Sequence, residues 1–346
     1  MSNSEQVSPT VHPTLASPYL LFLGSEKSFT YAKTGAGLAY WRPELCMGQL
    51  RLTPDTVDLG LTDYDVEAAV AAGARTLVIG TAVIGGAIPE PWIELLVGAL
   101  SAGLDVAAGV HTRLSSIECL VEAATQAGRQ LIDVRVPPPA IPVGTGIKRP
   151  GKRLLTVGTD CALGKKYTAL ALEREMKARG LNVDFRATGQ TGIMIAGSGI
   201  PIDAVVADFV SGAAEMVSPS NDADHWDVIE GQGSVFHPGY SAVSVGLLVG
   251  SQPDAFVVCT EAGRTHMEGW PTFELPSIDA VIERTLDIGR QVNREIRCVG
   301  ISANTSRLSE LERTEYLAQL SADYGLPAVD PIALGVGSIV DFLTQD

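Results

Sequence analysis

The 346-residue chain contains few cysteines and no long hydrophobic run, and both absences restrict what the protein can be. Its five cysteines are widely spaced, odd in number and without a Cys-x-x-Cys pair. This excludes a disulfide framework and indicates reduced thiols in the cytoplasm. No apolar stretch reaches about 18 residues, so we expect no membrane-spanning segment. The N-terminal segment lacks the basic and apolar regions of a secretory signal, which also favours a cytoplasmic protein.

Basic residues are scarce too, because 25 Lys and Arg stand against 40 Asp and Glu, and the net charge is −15. So acidic a chain does not attract nucleic acid or an anionic membrane, and we expect neither as a partner. An anionic small-molecule substrate must therefore be captured by local groups. Hydrophobic residues make up 46% of the chain, which supports a large core and favours a homo-oligomer, a dimer or higher. The five histidines have none of the spacings of zinc sites, so we expect no metal.

The order of predicted elements divides the chain into a tail, two domains and a linker. Residues 1–17 are polar and predict a flexible tail, whereas residues 18–137 alternate strand and helix patterns. Residues 138–152 are basic and rich in Pro and Gly, which predicts a linker, and residues 153–346 alternate strands and helices again. This alternation predicts an α/β fold with two domains, each a mostly parallel, doubly wound sheet.

The predicted strands are short apolar runs, and the predicted helices carry apolar residues at helical spacing. Strands are predicted at 19–23, 76–79, 104–108, 131–136, 154–157, 182–187, 204–208, 226–230, 255–259 and 297–302. Helices are predicted at 63–74, 91–103, 115–128, 167–179, 241–249, 278–293 and 310–324. Ligands of such sheets bind at the carboxyl ends of the strands, where most of the notable polar residues fall.

The segment LLTVGTDCALGKKYT, residues 154–168, is the most informative about function. A buried strand, a Gly-x5-Gly-Lys loop and a helix follow one another, which is the layout of a phosphate-binding P-loop. Glycines let backbone N–H groups converge on one anion, the helix N-terminus adds partial positive charge, and Lys165 adds a full one. The candidate cofactor-binding residues are Gly158, Thr159, Asp160, Cys161, Gly164, Lys165, Lys166 and Tyr167.

Two residues of this segment, Lys166 and Cys161, each allow more than one interpretation. Lys166 occupies the place where Ser or Thr holds Mg²⁺ in ordinary P-loop NTPases, so a phosphate here can be held without the usual metal. Cys161 is either a nucleophile, since a helix N-terminus lowers a thiol pKa, or a small filler of the loop.

Two acidic residues end predicted strands of the second domain. Glu230 ends an apolar run and precedes Gly231 and Gly233. A carboxylate placed there beside a P-loop holds Mg²⁺, acts as general base for an amine or hydroxyl, or caps a turn. Asp208 ends the run at 204–208 and is a second acid of this kind. Glu230 and Asp208 together would supply an alternative magnesium site.

A polar loop after the strand at 255–259 carries four titratable residues within eight positions: Glu261, Arg264, His266 and Glu268. Arg264 can pair with a carboxylate or phosphate through its guanidinium fork, and His266 can serve as an acid or base. The alternative is a set of solvated loop charges. We take Glu230, His266 and Arg264 as candidate catalytic residues, and Glu261 as a candidate for substrate binding.

Three further segments supply candidate substrate-binding residues. Gln190 and Thr191 lie in a glycine-rich segment that either lines a second pocket or forms a tight turn. His237 lies in a loop before a helix, and surface exposure is its alternative. Arg307 follows the strand at 297–302, a place where P-loop proteins often contact a nucleotide base.

These motifs resemble known families. GTDCALGKK and VIEGQGS resemble the phosphate loop and the strand-ending acid of dethiobiotin synthetases. Three longer runs, beginning at residues 158, 188 and 230, resemble the DUF1611 family over nearly the whole chain: GTDCALGKKYTALAL, TGQTGIMIAGSGIPIDAVVADFVSGAAE and EGQGSVFHPGYSAVSVGLLVGSQPDAFVV. That resemblance implies a Rossmann-like N-terminal domain, a P-loop NTPase-like C-terminal domain and acetylation of D-glutamate by acetyl-CoA.

Three functions follow as alternatives. In the first, an acyl-CoA-dependent N-acetyltransferase binds CoA phosphates on the P-loop without Mg²⁺. Glu230 or His266 then takes the proton of an acidic amino acid, and Arg264 or Arg307 pairs with its carboxylates. In the second, an ATP- and Mg²⁺-dependent kinase or ligase acts on a small carboxylate, with Glu230 and Asp208 holding the metal. The third is a non-enzymatic nucleotide-binding module. The lysine at 166 favours CoA over ATP.

Overall fold

Short strands alternate with helices in the computed structural model, which describes residues 15–29, 31–81, 88–110 and 112–345. Of the predicted tail, residues 1–14 lie outside the described part. The first elements are β1 (Tyr19–Gly24), α1 (Lys33–Trp41), β2 (Cys46–Arg51), α2 (Val66–Ala71), β3 (Thr76–Ile79), α3 (Glu90–Ser101), β4 (Asp105–Ala108), α4 (Glu118–Ala127) and β5 (Leu131–Asp133).

The later elements surround the phosphate loop. They are β6 (Lys152–Gly158), α5 (Lys165–Ala178), β7 (Val183–Arg186), α6 (Gln190–Ala196), α7 (Val210–Val217), β8 (Trp226–Ile229), α8 (Ser241–Ser251), β9 (Ala255–Glu261), β10 (His266–Met267), β11 (Trp270–Glu274), α9 (Ile278–Gly289), β12 (Arg297–Asn304), α10 (Glu310–Tyr324), β13 (Ala328–Val329) and α11 (Gly337–Leu343). Within the described residues, no helix combines the length and apolar character needed to cross a bilayer.

The first compact unit comprises residues 1–138 and the segment Gln190–Pro201. Its parallel sheet has the order β2-β1-β3-β4-β5. Both β1 and β3 are buried along their whole length, because helices cover the sheet on both faces. Leu20, Phe22 and Leu77 lie in its main hydrophobic core.

Helix α6 belongs to this first unit although it follows β7 in the chain. It packs on α1, where the hydroxyls of Thr34 and Thr191 are 2.9 Å apart and Arg42 donates to the carbonyl of Ile195 at 2.8 Å. The segment predicted as a tight turn or pocket lining is therefore largely helical.

The second compact unit comprises Pro139–Gly189 and Ile202–Asp346. Its parallel sheet has the order β13-β12-β9-β6-β8-β7, so β6 lies between β9 and β8. The predicted linker contacts this unit closely: Lys148 Nζ donates to Asp254 at 2.7 Å, and the guanidinium of Arg149 donates to the Ser218 carbonyl at 2.9 Å. An α/β fold with two doubly wound parallel sheets is confirmed.

One predicted strand, at 204–208, is wrong. Its place is taken by two 3₁₀ turns, Ile202–Ala204 and Ala207–Phe209, and Val206 is exposed. The buried apolar residues lie instead on the following helix α7 and are Val210, Ala213, Ala214 and Val217. Their i, i+3, i+4, i+7 spacing is that of an amphipathic helix, and the short apolar run before it was ambiguous between strand and helix.

Candidate active site

The phosphate loop joins the end of β6 to the start of α5 and has a backbone that requires glycine at two points. A Cβ at Gly158 would lie 2.9 Å from the carbonyl oxygen of Cys259 on the neighbouring strand. Gly164, the N-cap of α5, has φ of 100°, in the left-handed region that side chains avoid. The helix that follows has 14 residues, so its N-terminal dipole points at the loop.

Lys165 is enclosed by the loop. Its Nζ donates to the backbone carbonyl of Asp160 at 2.6 Å, and its side chain is buried. Burial lowers its pKa, while Cys259, Cys161 and Asp160 oppose that shift. Gly231 allows the close approach, since a Cβ there would lie 3.2 Å from Lys165 Cδ. The loop therefore holds one ammonium group beside its own N–H groups, which suits an anion.

Lys166 and Thr168, which follow Lys165 on α5, have different surroundings. Lys166 lies over the ring of Tyr167, 4.6 Å from the centroid, and its charge acts on Glu230. Thr168 is buried, and its hydroxyl lies 2.8 Å from Ser302 Oγ and donates to the Gly164 carbonyl at 3.1 Å. This threonine is engaged in the core and is no substitute for the Ser or Thr missing at position 166.

Arg264 links the phosphate loop to the end of β9. Its Nη1 donates to Asp160 Oδ2 and to the Cys161 carbonyl, each at 3.1 Å, and its Nη2 pairs with Glu261 Oε2. Asp160 Oδ2 also accepts the backbone N–H of Glu268 at 2.8 Å. Asp160 and Glu261 are both buried, so the guanidinium compensates two buried charges and fixes the loop.

We expect Arg264→Met to lower the free energy of unfolding by about 3–5 kcal/mol, because it removes the cation that Asp160 and Glu261 share, and Arg307 compensates only Glu261. Urea unfolding followed by circular dichroism measures this. Arg264→Lys keeps the positive charge but lacks the forked donors of the guanidinium. It should therefore lose less stability than Arg264→Met and still be less stable than wild type. The matched control is Lys177→Gln, which removes an exposed ion pair with Glu173 and should cost at most about 0.5 kcal/mol. If Arg264→Met and the control lowered the free energy of unfolding equally, Arg264 would not be the group that fixes the loop.

Asp160, Cys161 and His237 each place one possible metal ligand within 4.8 Å of the others. His237 Nδ1, however, accepts the backbone N–H of Gly239 at 3.1 Å, so the neutral ring carries its hydrogen on Nε2. That Nε2 faces Asp160 Oδ1 at 3.8 Å. A metal-bound histidine needs the opposite arrangement, with the hydrogen on the outer nitrogen. The donor set therefore does not fit a metal ion.

His237 is buried within an aromatic cluster instead of lying at the surface. Its ring stacks on Tyr240 with centroids 4.6 Å apart and meets Trp270 edge-on at 4.6 Å. Burial lowers its pKa, and Asp160 opposes this shift. The imidazole is consequently held neutral beside the phosphate loop.

Glu230 follows β8 and is held by the segment that follows the neighbouring strand β7. Its Oε2 accepts the backbone N–H groups of Thr188 and Gly189, both at 3.0 Å. Gln232 donates to the Thr188 hydroxyl at 2.9 Å and steadies that segment. Burial raises the pKa of Glu230, whereas the charge of Lys166 and the two N–H groups oppose the shift. A buried carboxylate with a raised pKa is a stronger base than an exposed one.

The other candidate residues lie outside the phosphate loop, and two of them, His266 and Arg307, lie near Arg264 and Glu261. His266 is exposed on β10, and its Nδ1 is 2.9 Å from Thr265 Oγ1. Arg307 is also exposed and reaches Glu261 Oε1 at 3.2 Å. Asp208 is exposed in a 3₁₀ turn, not at a strand end. Gln190 and Thr191 lie on α6 in the first unit.

The second unit also contains a cavity of about 540 Å³ that begins at the phosphate loop. Its walls include Thr159, Glu261, Arg264, Ser277, Tyr316 and Tyr324. Sequence reasoning missed the two tyrosines, because nothing in the pattern of α10 distinguishes them from ordinary helix residues. It also missed how Thr188 and Gly189 hold Glu230, although their position after a predicted strand was a usable signal.

A P-loop in one parallel sheet, preceded in the chain by a Rossmann-like sheet, defines a class of two-domain α/β proteins. The chain belongs to the DUF1611 family. Residues 142–340 match its P-loop domain, DUF1611_C, and residues 53–137 match its Rossmann-like domain, DUF1611_N, both described as domains of unknown function. The resemblance found in the sequence is thereby confirmed.

Two curated relatives carry the name D-glutamate N-acetyltransferase. The protein from Tritonibacter scottomollicae is 49% identical over 329 residues, 95% of this chain and 99% of that protein. The protein from a Pseudoalteromonas species is 46% identical over 323 residues, 93% and 97% of the two chains. A crystal structure of a DUF1611 family protein from Anabaena variabilis ATCC 29413 is 33% identical, with a TM-score of 0.86, over 96% of this chain and 100% of that one. By this likeness the chain is an enzyme, an N-acetyltransferase.

Proposed function

We propose that the enzyme transfers the acetyl group of acetyl-CoA to the amino group of D-glutamate and releases N-acetyl-D-glutamate and CoA. The observation that carries this proposal is the buried Glu230 beside a P-loop that has Lys166 in place of the Ser or Thr that holds Mg²⁺. The names of the two curated relatives support the choice of substrate.

The loop suits the pyrophosphate of CoA. Its backbone N–H groups, the N-terminus of α5 and the ammonium of Lys165 all favour a bound anion. Phosphoryl transfer from ATP would need a metal to neutralise the γ-phosphate, whereas CoA keeps its phosphates intact and requires only binding. A second lysine in place of the metal ligand is compatible with that simpler task.

Glu230 is the proposed general base. An ammonium substrate loses one proton to this carboxylate, and its nitrogen then attacks the thioester carbonyl carbon. The C–S bond breaks, the second proton of the nitrogen goes to the departing sulfur, and CoA leaves as a thiol. Glu230 returns its proton to solvent. Lys166, at the start of α5 next to Lys165, is the proposed partner of the α-carboxylate of the same substrate.

The proposal predicts that purified protein with D-glutamate and acetyl-CoA releases free thiol in the presence of EDTA and without ATP. A thiol reagent measures the release, and mass spectrometry identifies the acetylated amino acid in equal amount. L-Glutamate and D-alanine are the controls for stereochemistry and for the side-chain carboxylate. No thiol release with any amino acid, together with Mg²⁺-dependent ADP formation, would favour the kinase or ligase instead.

A further inference from the structure

The cavity beside the phosphate loop has no role in the proposed reaction so far. We infer that it receives the adenosine 3′-phosphate end of CoA, with Tyr316 and Tyr324 against the purine and Arg307 on the 3′-phosphate. The pantetheine end, which carries the thioester, then extends to the opposite side of the loop. This inference rests on the proposed use of acetyl-CoA.

The order of strands in the sheet shows that the cavity and Glu230 lie on opposite sides of the phosphate loop. Strand β6, which leads into the loop, lies between β9 and β8. Residues that follow β9, among them Arg264 and Ser277, line the cavity, whereas Glu230 follows β8. Parallel strands bring their carboxyl ends to one edge of the sheet, so the cavity and Glu230 flank the loop from opposite sides. A ligand held at its pyrophosphate has two ends, and its acyl end belongs on the side of the base.

The walls of the cavity suit a purine. Tyr316 and Tyr324 are half-buried on α10, and burial raises the pKa of both phenols, so their rings stay uncharged at neutral pH. Aromatic side chains of this kind can stack on any nucleotide base. Hydroxyls of Thr159, Thr260 and Ser277 also line the cavity and can meet polar base edges. Its volume of about 540 Å³ lies within the range of small-molecule sites.

Arg307 supplies the charge that distinguishes CoA from an ordinary adenine nucleotide. Its Nη2 lies 3.2 Å from Glu261 Oε1, at the wall of the cavity, and its side chain is 69% exposed. Glu261 is already paired with Arg264 through its other oxygen. The exposed guanidinium of Arg307 therefore keeps N–H donors that can reach a phosphate at the cavity wall.

Calorimetric titration with CoA and with 3′-dephospho-CoA tests the inference on the full chain. Wild type should bind CoA about tenfold more tightly than 3′-dephospho-CoA, the effect of one charged hydrogen-bonded contact. Arg307→Gln should abolish that preference and leave the affinity for 3′-dephospho-CoA unchanged. The matched control is Arg290→Gln, an exposed arginine at the end of α9, which should keep the preference.

Tyr316→Leu should weaken the binding of both ligands about tenfold, because a stacking face is lost. Tyr316→Phe keeps the ring and should bind like wild type, which also shows that the position tolerates substitution. An unchanged preference in Arg307→Gln, or unchanged affinity in Tyr316→Leu, would overturn this placement while thiol release from acetyl-CoA persists. A wild type that binds neither ligand would overturn the proposed function as well.

Discussion

Glu230→Gln is expected to lower kcat by about 10²–10⁴-fold, the contribution of a positioned general base. The amide cannot take a proton from the substrate, but its oxygen can still accept the N–H groups of Thr188 and Gly189. Steady-state thiol release measures kcat, and calorimetry should show a Kd for CoA close to that of wild type. Glu315→Gln, an exposed glutamate on α10, is the matched control.

The same substitution should separate catalysis from stability. Burial raises the pKa of Glu230 in the folded state above its unfolded value. The stabilisation from this group is thus present below the unfolded pKa and is lost as pH rises through the folded pKa. Urea unfolding at pH 5 and pH 8 should show the Gln variant gaining stability relative to wild type at the higher pH. A variant that is destabilised and still active would assign Glu230 a structural role.

The pH profile follows from the same shift. Only the carboxylate form of Glu230 accepts a proton, so kcat/KM of wild type should fall as pH drops through a pKa above the usual glutamate range. The Gln variant should lose this acid limb. A limb that persists in the variant would locate the base at a residue other than Glu230.

Lys165→Met is expected to weaken CoA binding by about 100-fold, since it removes the ammonium group enclosed by the phosphate loop. The variant should keep its fold, because burial lowers the pKa of Lys165 and the charged form is costly to bury. Calorimetry with CoA gives the affinity, and urea unfolding gives the stability. Lys177→Met, on the exposed face of the same helix, is the matched control.

If Lys165→Met bound CoA as tightly as wild type, the phosphates of CoA would bind outside the phosphate loop. Weakened binding of CoA together with equally weakened binding of inorganic pyrophosphate would support the assignment, because pyrophosphate has only the part of the ligand that the loop contacts.

Local patterns predicted most of the fold. The apolar run at β3 and the capped helix α10 match their predicted bounds, because burial and capping at these places depend on neighbours in sequence. The strand at 204–208 was wrong, and several elements were missed, among them α1, β2 and α6. At 204–208 and at α6 the local pattern was compatible with two conformations, and packing within the folded unit decided between them.

The sequence alone determined that a P-loop lies at the end of a strand, since glycine spacing, Lys165 and the following helix are contiguous. It also determined that Glu230 ends a strand. Only the tertiary structure decided that Arg264 joins two buried carboxylates, Asp160 and Glu261, and that His237 is buried and fixed in one tautomer. Contiguous residues share a backbone whose geometry is local, whereas ion pairs and burial depend on which strands become neighbours.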